Sequence, residues 1–335
     1  MPLFGRLELN MIACNKRAFL LGCAALVLSG AAWAQPGGSW PARPVTIVVG
    51  FSAGGPTDVV ARILAEELTA KFKQSFIVDN KAGASGGVAA MQIKQAQPDG
   101  YTLMFGSSST LSIIPKLQKT GYDPLNDFTA IALVASYPYF LVVPATSSIR
   151  TLDQLLEKGR SPSSQLNYGS AGNGAVNHLA GEWFKYETKI NAMHVPYKGD
   201  SAAVTDIVAG RLDFAFIAGS VALPQVKAGK MRVLASASAV SGRGGEGVPT
   251  LGDRYKGFAA EPWNGLMGPK GVPEPIVAKL NTAVNEIMNR PDVVARLAPL
   301  EQYPLTGTPR QFTERIKTQA ERWASIIKAS NIQVE

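Results

Sequence analysis

Residues 44–64 read PVTIVVGFSAGGPTDVVARIL, and the order of residue types in this stretch decides the fold. Val45 to Val49 is apolar and rich in β-branched side chains, the mark of a buried strand. Gly50 to Gly55 cannot extend that strand and makes a tight turn. Pro56 fits the first position of a helix, and Asp58 meets the positive end of the helix dipole in the first turn. Val60, Ile63, Leu64 and Leu68 then recur three or four residues apart, which is one apolar helical face.

The same unit returns along the chain. Phe76 to Asp79 is a strand, followed by Gly83-Ala84-Ser85-Gly86-Gly87 and a helix from Val88 to Ala96. Tyr101 to Phe105 leads into Gly106-Ser107-Ser108-Ser109-Thr110. Strand, small-residue turn and helix in series predict an α/β fold with a mainly parallel sheet flanked by helices. The apolar runs on either side of Tyr137-Pro138-Tyr139 read as a crossing strand into a second lobe. There the pattern repeats, with strands at Leu166 to Tyr168, Ala192 to Val195, Phe214 to Ile217 and Val233 to Ala235. Trp263 to Met267 crosses back. The lobes are therefore 35–138 plus 263–335, and 139–262. Ser241 to Gly247 reads as a mobile surface loop. Thr308-Pro309-Arg310-Gln311 is a capping box. The stripe of Phe312, Ile316, Ala320, Trp323 and Ile327 after it is expected to pack on the first lobe.

Hydrophobic residues make up 46% of the 335-residue chain and charged residues 17%, a globular composition. Lys16 and Arg17 precede an apolar run from Ala18 to Gly30, and Ala32-Trp33-Ala34 follows. That is the layout of a secretory signal peptide, residues 1–34, cut after Ala34, with Met1 or Met11 as the start. The alternatives are a membrane anchor, for which the run is short, and a lipoprotein signal through Leu21-Gly22-Cys23. Cleavage removes both cysteines, Cys14 and Cys23, so the mature chain must be held by its core, without disulfides. Cleavage also removes Arg6, Lys16, Arg17 and Glu8, which lowers the net charge from +8 to +6, and a moderately basic chain favours anionic ligands in general terms. No dense Lys/Arg run points to nucleic acid.

At least six turns at the carboxyl ends of the strands are built from Gly, Ser, Ala, Thr and Asn. In open α/β sheets that is where ligands bind. Each turn feeds a helix N-terminus whose first N–H groups lack internal partners, so several of them converging make an anion site without an arginine. A single such turn needs no ligand to explain it. Gly50-Phe51-Ser52-Ala53-Gly54 also matches the nucleophile elbow of serine hydrolases. Against that reading, Ser52 follows the first strand, and the last histidine, His194, lies far from the end where the base is expected. The chain lacks H-E-x-x-H, C-x-x-C and P-loop motifs, so no metal and no cofactor is expected. His178 either satisfies hydrogen bonds at its helix start or touches a ligand, and His194 reads as structural.

These residues resemble the substrate-binding receptors of tripartite tricarboxylate transporters, the Bug or TctC family, from about Trp40 to Ile332. The resemblance is carried by Ala53-Gly54-Gly55 with Thr57-Asp58-Val59-Val60-Ala61-Arg62, and by Pro98-Asp99-Gly100-Tyr101-Thr102-Leu103. Gly172-Asn173-Gly174, His178-Leu179-Ala180-Gly181-Glu182 and His194-Val195-Pro196-Tyr197-Lys198-Gly199 add to it. It implies a two-lobed periplasmic-binding-protein fold of type II character, each lobe a sheet flanked by helices. The ligand would lie between the lobes, with a carboxylate on the turn of Phe51, Ser52, Ala53, Gly54 and Gly55. Ser107, Ser108, Ser170, Ala171, Gly172, Asn173, Ala175, His178, Tyr197 and Ile217 would hold the rest.

Ile217 stands where many relatives have an Asp, Ala175 replaces a common Ser or Thr, and Leu111 and Ile114 replace a common His and Asn. Each change removes a polar partner, so the expected ligand is a small carboxylate without an amine, of di- or tricarboxylic or aromatic type. The implied role is capture without catalysis, in the periplasm, by a monomer that serves the membrane components of a tripartite transporter. The alternatives are an exported serine hydrolase using Ser52 and a ligand-sensing receptor of a two-component system.

Overall fold

Val45–Val49 (β1) is flanked by Phe76–Asn80 (β2) and Thr102–Ser107 (β3), both parallel to it, with Val45 opposite Phe76 and Thr46 opposite Thr102. The computed structural model describes residues 40–239 and 247–332. The expected signal peptide lies outside the described residues, as does the Gly-rich loop except for Gly247. From Pro41 onward the chain is one unit holding two sheets. In the first, the order is β11-β4-β10-β3-β1-β2, where β4 is Phe128–Ser136, β10 is Trp263–Pro269 and β11 is Tyr303–Pro304. In the second it is β7-β6-β8-β5-β9. These strands are Tyr139–Pro144 (β5), Leu166–Ser170 (β6), Ala192–Pro196 (β7), Phe214–Ala218 (β8) and Met231–Ser236 (β9).

The expected parallel character holds for three strands of each sheet, β1 to β3 and β6 to β8. The strands that connect the sheets add antiparallel pairings. β4 and β10 pair antiparallel in the first sheet, Leu266 opposite Ala132. β5 lies antiparallel between β8 and β9 in the second, Phe140 opposite Ile217. Only Tyr137 and Pro138 separate β4 from β5, so the chain changes sheet within two residues.

Helix Pro56–Phe72 (α1) starts with its proline in the first turn, as the sequence predicts, and ends on Lys73 in the left-handed region. Gly87–Lys94 (α2) follows β2, and Ser109–Ile113 forms a π-helical turn running into the short helix Ile114–Leu117 (α3). The second sheet carries Leu152–Arg160 (α4), Val176–Thr188 (α5), Asp200–Val208 (α6) and Gly219–Lys227 (α7). Leu251–Arg254 (α8), Glu274–Met288 (α9) and Pro291–Leu297 (α10) precede the last helix, Pro309–Ala329 (α11).

The capping box is present: Thr308 Oγ1 accepts from the Gln311 amide, and the Gln311 side chain accepts from the Thr308 amide. The stripe that follows does not pack on one lobe alone. Phe312 and Ile316 join the core of Met104, Leu133 and Trp263, while Trp323 joins that of Trp183 and Phe258. A helix of 21 residues is about 30 Å long, so its second half reaches past the first sheet. Among the described residues no helix is long and apolar enough to cross a membrane.

Candidate functional site

The turn after β1, the π-helical turn after β3, the turn between β6 and α5, and the turn between β7 and α6 face one another. Hydrogen bonds join them across the gap. The Ser52 amide and Oγ both donate to the Lys198 carbonyl, at 3.2 and 2.7 Å. Ser201 Oγ donates to the Ala53 carbonyl at 3.1 Å, and Ser85 Oγ to the Asn173 carbonyl at 2.7 Å. The Val176 amide donates to Ser109 Oγ at 3.1 Å. The cleft between the sheets is therefore shut.

Among the described residues, these turns border an inner and an outer space. The inner one is about 10 Å³, room for roughly one water. Phe51, Gly55, Ser107, Ala171 and Ala175 line it, together with Pro56, Thr57, Ser109, Tyr137, Tyr139 and Asp200. The outer one, about 390 Å³, is bordered by Phe51, Ala171, Gly172, Asn173 and Tyr197, with Ser85 and Lys198. Gly172 has φ +128° and Gly174 φ +73°, conformations that a side chain resists. A Cβ on Gly174 would come within 2.3 Å of Ile114, so the turn packs directly on α3.

The other expected residues lie off these spaces. Ser52, Ala53 and Gly54 line neither space, and the Gly54 amide donates to Asp58 Oδ2 at 2.8 Å. Ser108 Oγ accepts from the Trp263 amide at 3.3 Å. Ser170, fully buried, meets His194 Nε2 at 2.6 Å and accepts from the Gly172 amide. His178 Nδ1 accepts from the Gly174 amide at 3.1 Å, at the start of its helix. Ile217 packs into an apolar core with Phe140, Ala203 and Ala222. Leu111 packs with Met104 and Met267.

Sequence reasoning missed Thr57, Ser85, Ser109, Tyr139 and Asp200 as site residues and read Tyr137 only as part of the crossing. Tyr137 and Tyr139 carry a signal: they flank Pro138 where the chain passes from β4 into β5, and both line the inner space. Their rings meet edge to face at 5.7 Å, and Tyr137 hydrogen-bonds Thr57 and Tyr139. Burial, with the Asp200 charge adding to it, holds both phenols neutral.

Side chains of the protein already engage amides of the turns that precede these helices. Burial raises the Asp58 pKa, but hydrogen bonds from Arg62, the Gly54 amide and Asn80 outweigh it and hold the carboxylate below its usual range. Asn177 Oδ1 accepts from the Ala171 amide at 3.0 Å. Asp200 Oδ1 accepts from Asn177 Nδ2 at 2.9 Å and Oδ2 from the Ala218 amide at 3.1 Å. Burial pushes Asp200 up to about 7, against the pull of those two donors. His178 and His194 stack with ring centroids 3.9 Å apart. Burial, then Lys185, lowers His178 to about 4; burial, then His178, lowers His194 to about 3. Neither carries charge at neutral pH. Ser52 Oγ spends its proton on a carbonyl, an acceptor that cannot serve as a general base. Among the described residues no cluster of His, Cys, Asp and Glu could hold a metal ion.

Known proteins share this architecture. The sequence model of the tripartite tricarboxylate transporter family receptor matches residues 60–332. Rpa4515 of R. palustris, solved with adipate, is 31% identical with a TM-score of 0.85, over 88% of this chain and 99% of that one. The periplasmic binding protein BugD is 30% identical with a TM-score of 0.84, over 88% and 100%. MatC from Rhodopseudomonas palustris, solved with bound malate, is 31% identical with a TM-score of 0.80, over 86% and 100%. With a family match over most of its length and a shared fold at 30% identity or more, the chain belongs to the tripartite tricarboxylate transporter receptor family.

Proposed function

We propose that the mature chain is a periplasmic solute-binding protein that captures a small carboxylate without an amine and presents it to the membrane components of a tripartite transporter. The observation that carries this reading is the shut cleft, whose inner space is lined by hydroxyls, small residues, aromatic rings and the Asp200 carboxyl, and by no cationic side chain. Short hydroxylated side chains and bridging waters accept varied acids at little cost. Adipate and malate, the acids with which two relatives were solved, lack amines.

The lobes are 35–138 plus 263–335 and 139–262, and they open about the crossings near Tyr137 and Trp263. The chain is exported by cleavage after Ala34, works as a monomer and catalyses nothing. Thermal-shift measurements of the mature chain against mono-, di-, tri- and aromatic carboxylates and amino acids test this. A ligand that binds only the folded state raises Tm by an amount set by RT ln(1 + [L]/Kd). A shift with one class of amine-free acid is expected. No shift with any acid, with ester hydrolysis that Ser52→Ala abolishes, would overturn the reading.

A further inference from the structure

The inference here rests on the carboxylate-capture reading and concerns Asp200. It is the one carboxyl among the residues lining the inner space, and no lysine or arginine lines that space. Asp200 is 2% exposed, so water does not screen it. Each of its oxygens accepts one N–H, from Asn177 and from Ala218, and no cation appears among the causes that set its proton affinity. Two neutral donors do not neutralise a buried charge.

The groups that face it from neighbouring elements do not neutralise it either. Tyr139 of β5 and Tyr137 before it are phenols that stay protonated. Tyr168 of β6 is also a neutral phenol, engaged by Glu182. β8, from Phe214 to Ala218, has no charged side chain. In α7, Lys227 lies in the last turn, at the far end of that helix. Across the cleft, Asp58 of α1 is committed to Arg62 and Asn80. Lys198 is exposed and borders the outer space.

In the shut cleft this space takes about one water, so an anion reaches it only as the lobes open and close again on the ligand, and it then lies beside a second carboxyl. Two carboxylates at contact distance cannot both stay ionised in a dry site, and one proton shared between them removes the repulsion. We propose that Asp200 is the acid partner of the ligand: it holds a proton in the complex and donates its O–H to a ligand carboxylate, so that each anion captured brings one proton into the cleft. The proton comes from solvent and returns to it on release; no bond of the ligand is made or broken. An amine-bearing acid could instead meet ionised Asp200 with its ammonium, without proton uptake, and this is the competing outcome.

Titration calorimetry of the full mature chain distinguishes the two. Adipate, malate and glutamate are titrated at about pH 8 in buffers of differing ionisation enthalpy, which counts protons per ligand. With Asp200 pushed up to about 7 by burial, against the pull of its two donors, most of the free protein is ionised at pH 8. The expected result is uptake of close to one proton with adipate or malate. Kd should rise about tenfold from pH 7.5 to 8.5, and both effects should vanish in Asp200→Asn. The proton count is made on the wild type and does not depend on whether the variant folds. Binding of an amine-free acid without proton uptake overturns the Asp200 proposal and leaves the receptor reading standing. Tighter binding of glutamate without uptake also overturns it. No binding of any of these acids, or of the wider carboxylate panel, removes the receptor reading and this proposal with it.

Discussion

The Asn177 side-chain amide donates to Asp200 Oδ1 at 2.9 Å, tying the first turn of α5 to the first residue of α6 behind the inner space. Asn177 is fully buried, and it also donates to the Phe216 carbonyl and accepts from the Ala171 amide. One side chain thus holds two turns of the cleft and one strand in register. Asn177→Ala leaves three buried polar groups without this partner, each worth about 1–3 kcal/mol. The expected outcome is a loss of about 3 kcal/mol in urea unfolding, with weaker ligand binding even at low temperature, where the variant is folded. A loss under 1 kcal/mol would mean that the node is not rigid.

Ser52 tests how the cleft closes. Its Oγ and amide both reach Lys198 from the opposite side. Ser52→Ala deletes one of the two bonds, an effect of about 0.5–1 kcal/mol for a bond at the protein edge. Kd for the captured acid should rise about two- to fivefold, chiefly through faster release. Loss of all binding would instead make the hydroxyl a direct ligand contact.

The parts of the fold that local chemistry sets were legible in the sequence. Val45 to Val49 is a strand because its side chains allow little else, and Pro56 and Thr308 mark helix starts because each meets a defined need of a helix terminus. The face on which a residue lands was not legible where a strand is buried on both sides. In β8, Phe214, Phe216 and Ala218 enter one core while Ala215 and Ile217 enter the other. The sequence there is apolar at every position, so no alternation shows which side meets the cleft. For the same reason Ser107 and Ser108 read as a pair, yet Ser107 lines the inner space and Ser108 bonds the Trp263 amide. Nothing local in the sequence marks Asp200 as buried; its burial follows from the packing of its helix on β5 and β8, of which β5 is distant in sequence.

Trp323 gives the last helix a mechanical role. Phe312 stacks edge to face on Trp263 at 5.6 Å, whereas Trp323 meets Trp183 at 6.3 Å in the core of the other sheet. The helix therefore bridges both sheets, and opening of the cleft must slide or bend this contact. Trp323→Ala should cost about 3 kcal/mol in stability through the cavity it leaves. Trp323→Phe should cost less, and its ligand release should be faster than that of the wild type at equal temperature. Unchanged release rates in Trp323→Phe would show that the helix moves with one sheet only.

The dependence of stability on pH follows from three groups, two buried and His194 partly so, that pull in opposite directions. His178 and His194 have folded pKa values of about 4 and about 3, below the unfolded value near 6.5. The unfolded chain then binds more protons as pH falls, so their contribution is complete above about pH 6.5 and is lost as pH drops towards those folded values. Asp200, at about 7, lies above its unfolded value near 4. Between those values the folded chain binds more protons, and stability from this group falls as pH rises. Between about pH 4.5 and 6.5 the two slopes partly cancel, and the wild type shows the difference. Asp200→Asn removes only the carboxyl slope, so this variant should lose stability on acidification from pH 6.5 to 5 more steeply than the wild type, by about 1 kcal/mol per pH unit. His194→Gln, which can still hydrogen-bond Ser170, should lose less than the wild type over the same range. Urea unfolding at three pH values measures both, and parallel curves for all three proteins would assign the acid sensitivity to other groups.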